Sequence, residues 1–357
     1  LVPGLLLLGD PRRTVVGQGL GVRSLAALPL AWCALPALAV LAFATSLPPG
    51  VAWATEFGGY DALSYHLELP RTWFEMRRIA TLPSSVYSAF PNFVEAAFLH
   101  CMSLLGQAAP HGLAMAPQVL HALLGVAAAV AVGGVAAMLA GPDAPRARVA
   151  QAAGFVALLG VPWVIVTGSL AYDEMAVLLM AATAMLAWCA RMDGDEGRRD
   201  TPPATVGIAV GLALGAAIGA KLTALGMVAL PFAAWAIVGG TAGGARALAR
   251  SAAWATIAAG AVLTPWLIRT AADRREERDA HQPAQPEGRA EPRDGHHRAG
   301  HRGRGRRRRA GDRNAGHHRD RRHGGHLHQR CRHRARANGE GGFAHGAGFS
   351  QTVHARG

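Results

Sequence analysis

Residues 211–231 read GLALGAAIGAKLTALGMVALP. A helix at a water-exposed surface carries polar residues along one face. This stretch has none, apart from one charge and one threonine. Its glycines, Gly211, Gly215, Gly219 and Gly226, are small enough to let helices approach closely inside a bilayer. The charge is Lys221, the only lysine in the chain. A charged side chain at mid-bilayer costs roughly 2.5–3.5 kcal/mol on insertion scales. Two readings of Lys221 are open. It snorkels from a helix end, or it supplies a cation for a phosphate at the membrane boundary. A Gly-rich break there would also bare backbone N–H groups.

Working outward, the same composition recurs. A bilayer core of roughly 30 Å needs about 20 apolar residues as a helix. Seven runs qualify: 24–44, 112–140, 149–170, 172–190, 204–220, 222–239 and 251–268. The expected fold is therefore an all-α polytopic transmembrane helical bundle of about seven spans. It occupies residues 24–269, behind an N-terminal cytoplasmic segment at 1–23. The chain opens on Leu1 rather than Met, and VPGLLLLG at 2–9 reads as the end of an earlier segment.

The stretch 91–106, PNFVEAAFLHCMSLLG, is shorter and carries Glu95 and His100. Cytoplasmic loops hold the Arg/Lys excess. Arginines 12, 13 and 23, then 146 and 148, then 191, 198 and 199, then 246 and 250 flank successive runs. All four clusters share one side if 91–106 lies at the membrane surface as a juxtamembrane or re-entrant helix. If it crosses, the later three move to the opposite side. We adopt the first arrangement. It makes 45–111 one large outer loop and brings the turn at 168–174 and the neighbourhood of Lys221 to the same face. The expected location is the plasma (inner) membrane, multi-pass.

That outer loop contains EFGGYDALSYHLELP, residues 56–70. Asp61 is placed either to cap a helix starting near Ala62 or to take a proton from a hydroxyl nucleophile. On a regular helix Asp61, Tyr65 and Glu68 share one face, at spacings of four and three. His66 lies among them. In GSLAYDEM, residues 168–175, Asp173 and Glu174 stand at the start of a helix. They either answer the helix dipole or line a site. Adjacent helical residues point about 100° apart, so only one is expected to face a given cavity, and we favour Asp173. His66, His100 and His121 show no HxxxH or HExxH spacing, so no zinc site is expected. A divalent metal has no clear ligand motif, and the cofactor stays open. Trp53, Trp73 and Tyr87 read as interfacial belt residues.

In this order, YDALSYHLELP, PNFVEAAF, SLAYDEM, the Lys221 segment and TPWLIR (264–269) resemble the GT-C integral-membrane glycosyltransferases. The likeness is nearest to the protein O-mannosyltransferase and aminoarabinose transferase families (glycosyltransferase family 39-like) and covers about residues 25–269. The resemblance implies Asp61 as catalytic base and Asp173 as a second catalytic-site aspartate that helps shape the site. It also implies Lys221 at the phosphate of a polyprenyl-phosphate-linked sugar. From their closeness in sequence to Asp61 and Asp173, Tyr65, His66, Glu68 and Glu174 are expected around the substrate. Membrane lipid would be a further partner, and the acceptor is unknown. Two positions depart from the pattern. VYSAFPN (86–92) lacks a lysine before its proline, and Gln118 stands where a basic residue often opens the next span. Two other readings are a multi-pass transporter using the same three charges and a membrane protein without chemistry. A transporter predicts paired broken helices in an internal repeat, and only one Gly-rich break is present.

From Asp273 the chemistry changes. Residues 1–272 carry 15 Lys+Arg and 13 Asp+Glu, whereas 273–357 carry 21 Arg and 10 Asp+Glu, with 12 of the 16 histidines. The strong overall positive charge is thus a property of the tail alone. A disordered Arg/Gly/His-rich tail is expected over 270–357. No aromatic residue interleaves it before Phe343, which argues against base stacking and nucleic-acid binding. A basic tail on anionic lipid fits poorly with Arg269 outside. A frameshift is the third reading, since G/C-rich codons supply these residue types. The cysteines, Cys33, Cys101, Cys189 and Cys331, have no CxxC spacing, and the first three sit in apolar runs as small hydrophobes.

Overall fold

The computed structural model describes residues 29–53, 59–105, 112–141, 143–192, 202–239 and 244–281. The expected N-terminal segment at 1–23, Glu56 in the outer loop and the tail beyond 281 lie outside them. Among the described residues the chain is all-helical, with a single isolated bridge, Leu82 to Ser85, and no strand. A 3-10 turn, Pro29–Ala34, runs into α1, Leu35–Thr45. A π-helical turn, Ala62–His66, leads into α2, Glu68–Met76. After a 3-10 turn at Val86–Ala89 come α3, Phe93–Leu105, and α4, Gly112–Leu139. Next are α5, Ala144–Leu159, α6, Pro162–Gly168, and α7, Glu174–Met192. The last are α8, Pro203–Ala220, a second π-helical turn at Leu225–Ala229, α9, Leu230–Gly239, and α10, Ala245–His281.

Among the described residues, three helices are long and apolar enough to cross a membrane: Met115–Leu139, Pro203–Ala220 and Ala245–Arg275. The expected span at 149–170 is instead two helices, α5 and α6, bent by 65°. Pro162 explains the break. Proline has no N–H for the carbonyl four residues back and forces its predecessor out of the helical region. Val161 is accordingly extended, at φ −76 and ψ 113. Counting the bent pair as one crossing gives four. The other expected spans contain shorter apolar helices, Pro29–Thr45, Glu174–Ala190 and Leu225–Gly239, as does the segment at 91–106, with Phe93–Leu104.

Both π-helical turns precede a proline. Pro70 would have bonded the carbonyl of His66, and Pro231 that of Met227. A widened turn absorbs the missing hydrogen bond. The consequence for the first turn matters below, because it changes which side chains share a face.

Helix α4 packs between α5 and α7, α7 also packs on α8, and α8 on α10. Small residues set these distances. A Cβ added at Gly133 of α4 would lie 2.6 Å from the Gln151 carbonyl oxygen of α5. Along α8, a Cβ at Gly207 or Gly211 would overlap the carbonyl oxygen of Ser251 or Ala255 on α10, and one at Gly215 would sit 2.8 Å from Ala259 Cα. This four-residue glycine spacing brings two backbones together, as in membrane helix pairs. Large apolar side chains face outward on several helices: Leu123, Leu139, Trp163, Val238, Ile257 and Ile268 are each more than half exposed. A water-soluble surface rarely shows so much apolar area. With the long apolar helices, this points to membrane association.

Helix α10 runs on to His281, past the expected end at Arg269. Its extension is fastened to the segment before α3. Arg269 donates to the Ser88 carbonyl (2.7 Å), the Thr270 hydroxyl to the Ala89 carbonyl (3.1 Å), and Asp273 accepts from the Thr81 N–H (2.8 Å). Trp73, expected in an interfacial belt, is instead fully buried and donates its indole N–H to the Ala80 carbonyl at 2.8 Å. It packs near Trp266, ring centroids 6.4 Å apart, because α2 folds back over the TPWLIR segment.

Candidate functional site

Four separate pieces of backbone meet at one place. Leu67, then Val94 and Phe98 of α3, Ala171 before α7, Ala176 within it and Ala220 ending α8 form one apolar cluster. Polar side chains from the same pieces sit beside it. Lys221 follows α8 immediately, in extended conformation (φ −146, ψ 118), so its side chain leaves the helix rather than continuing its face. Its ammonium donates to Asp173 Oδ1 at 2.9 Å and to Glu174 Oε1 at 2.6 Å.

The expectation that only one of these two carboxylates could face the cavity is therefore corrected. Asp173 precedes α7 and is not helical, so the 100° step between helical neighbours does not separate it from Glu174. Asp173 is the more buried of the pair, its side chain 8% exposed, against 34% for Glu174 and for Lys221.

Next to Asp173 lies a pair that spacing rules did not show. His66 Nδ1 and Glu95 Oε1 are 2.6 Å apart, both side chains almost fully buried. One ligand atom from each of His66, Glu95 and Asp173 falls within 4.8 Å of the others. The second oxygen of Glu95, Oε2, is buried and takes no hydrogen bond among the described residues. Glu95 lies in PNFVEAAF, but the resemblance gives it no role. Its only sequence signal is an acidic residue inside an apolar segment, which is costly enough to suggest a role.

The first loop supplies the rim. The Tyr65 ring lies 4.1 Å from His66 and stacks on Tyr87, also at 4.1 Å. Burial first, then the nearby Asp61, Asp173 and Glu174 carboxylates, raise the Tyr65 phenol pKa, so it remains a hydroxyl donor. Asp61 is exposed at the N-cap of the π-helical turn, and its side chain makes no capping bond. Glu68 is exposed and meets Thr72 at 3.5 Å. Tyr65 lies in a π-helical turn, so the α-helical spacing behind the expected shared face of Asp61, Tyr65 and Glu68 does not apply there. Among the other histidines, His121 is buried and accepts from the Met175 N–H at 3.2 Å, and His100 is exposed.

Two clamps hold the first loop on the 168–174 turn. Trp53 donates its indole N–H to Ser169 Oγ at 2.7 Å. The Gln118 amide, fully buried in α4, donates to the carbonyls of Thr45 (3.3 Å), Leu47 (3.1 Å) and Ser169 (3.2 Å). Gln118 thus joins three backbone segments where a basic residue had been the pattern. No protein-family model, no curated protein and no solved structure matches this chain.

Proposed function

We propose that the chain is a multi-pass enzyme of the plasma (inner) membrane that transfers a sugar from a polyprenyl-phosphate donor to an acceptor on the non-cytoplasmic face. In this reading all seven apolar runs cross and α3 lies along the outer surface. The observation that carries it is the meeting of Tyr65, Asp173, Glu174 and Lys221, drawn from a loop and two helix breaks, with Asp61 at the rim. An exposed carboxylate, Asp61, and a part-buried ammonium, Lys221, are the two groups this inverting transfer uses. The acceptor oxygen attacks the anomeric carbon, the bond to the phosphate oxygen breaks, and the phosphate leaves with the electron pair. Asp61 takes the acceptor proton. Lys221 exchanges Glu174 for the leaving phosphate and stabilises its charge, while Asp173 stays to orient the ammonium.

The test uses the full chain in vesicles of its native membrane, which bring their own acceptors, with polyprenyl-phosphate sugars radiolabelled in the sugar. Label should leave the lipid phase, and Asp61→Asn should slow this about 10²–10⁴-fold, the usual contribution of a positioned base. Full activity in Asp61→Asn removes the base assignment. No release from any hexosyl or pentosyl donor removes the enzyme reading.

A further inference from the structure

We infer that His66, Glu95 and Asp173 form a binding site for one divalent transition ion of the Zn²⁺ or Mn²⁺ kind. Three lines support it. The donor set is one imidazole nitrogen and two carboxylates, with ligand atoms within 4.8 Å of one another. Imidazole suits Zn²⁺ and its neighbours, and carboxylates extend the choice to Mn²⁺, while a nitrogen ligand disfavours Mg²⁺ and Ca²⁺. Glu95 is 2% exposed, yet its Oε2 has no hydrogen-bond partner among the described residues. An oxygen buried without a donor is costly, and a cation satisfies it.

The third line is charge. Glu95, Asp173 and Glu174 bring three carboxylates to one buried region, against the single ammonium of Lys221. His66 adds a positive charge only when protonated. A divalent ion neutralises the remainder without that proton. His66 Nδ1 and Glu95 Oε1 now share a hydrogen bond of 2.6 Å. Two ligands on one Zn²⁺ at about 2.0–2.1 Å stand roughly 3.3 Å apart in tetrahedral geometry. The ion would therefore replace the shared proton after an opening of under about 1 Å. Lys221 and Glu174, each about a third exposed, mark the open side. The ion would tie together the first loop, α3 and the turn before α7, whether or not the chain transfers sugar.

The experiment takes the full-length protein in detergent, strips it with chelator, adds Zn²⁺ alone or Mn²⁺ alone, and removes the excess. Bound metal is counted and the melting temperature recorded. The His-rich tail will bind some Zn²⁺ in every variant, so the difference from wild type is the readout. Glu95→Gln and Asp173→Asn should each hold about one ion fewer per chain and lose the metal-induced rise in melting temperature. Asp173→Asn leaves the His66–Glu95 bond in place and serves if Glu95→Gln does not fold. Equal metal content in wild type and both variants overturns the site. So does a wild-type melting temperature that Zn²⁺ and Mn²⁺ leave unmoved, or one that Mg²⁺ alone raises as much.

Discussion

Replacing Lys221 by Met tests whether the cation holds the site together. Met keeps most of the stem and removes the ammonium. The ion pairs at 2.9 Å and 2.6 Å disappear together. Asp173 is then left with an 8% exposed side chain beside a second carboxylate. Breaking a fully buried pair costs about 3–5 kcal/mol, mostly from the charge left behind. Here Lys221 and Glu174 are each 34% exposed, so water screens part of it. We put the loss at about 2 kcal/mol. For a folded unit of about 150–250 residues that is a fall of about 4–8 °C in melting temperature. The assay is thermal unfolding of the detergent-solubilised protein, run as a double-mutant cycle with Glu174→Gln. Because the penalty belongs to the stranded charges, the double variant should recover part of the loss, giving a non-additive cycle. A Lys221→Met protein that melts within about 1 °C of wild type would refute the reasoning. So would additive effects, which would mean the ammonium and Glu174 do not share a structural role.

Gly211→Ala should destabilise by about 1–3 kcal/mol, since its Cβ would overlap the Ala255 carbonyl on α10 and the helices must part. Gly260→Ala, whose Cβ meets nothing within 4 Å, should instead stabilise by about 0.5–1 kcal/mol through helix propensity; both are read by thermal unfolding, and the same sign for the two would sink the packing argument. Gln118→Leu should cost about 1–3 kcal/mol by leaving the carbonyls of Thr45, Leu47 and Ser169 without their donor. Limited proteolysis should then cut faster around residues 46–53, and an unchanged digest would show that the clamp is not needed.

Much of the helical framework was legible. Runs 112–140, 204–220 and 251–268 contain long apolar helices, which continue through Pro117 in α4 and Pro265 in α10. The run at 149–170 was misread because hydropathy sees composition and not the hydrogen bond that Pro162 cannot make. The same oversight hid both π-helical turns, although Pro70 and Pro231 announce them. The α-helical spacing of Asp61, Tyr65 and Glu68 does not carry across the first of these turns. Trp73 went wrong for a different reason. An aromatic in a polar loop looks interfacial until a long-range partner such as Trp266 buries it, and no local pattern encodes a partner so far along the chain.

The site itself follows from a constraint on helical proteins. Within a regular helix, each side chain's direction is fixed by its phase, so two neighbours cannot address one ligand. At this site, most of the charge gathers where a helix is interrupted. Asp173 stands just before α7, Lys221 just after α8, and His66 at the end of a π-helical turn. Freed from helical phase, Asp173 and Glu174 reach the same ammonium. Glu95 is the exception, lying within the first turn of α3. It comes into range because the other three converge on that helix. Lys221 could be singled out from sequence because its cost is local, one charge in an apolar run. Glu95 and His66 could not be paired, because 29 residues separate them and only the fold brings their atoms to 2.6 Å. In such a chain the better sequence signal is a polar residue next to a helix breaker. By that criterion Pro70 and the glycines before Lys221 point at the site more directly than any spacing of histidines or carboxylates.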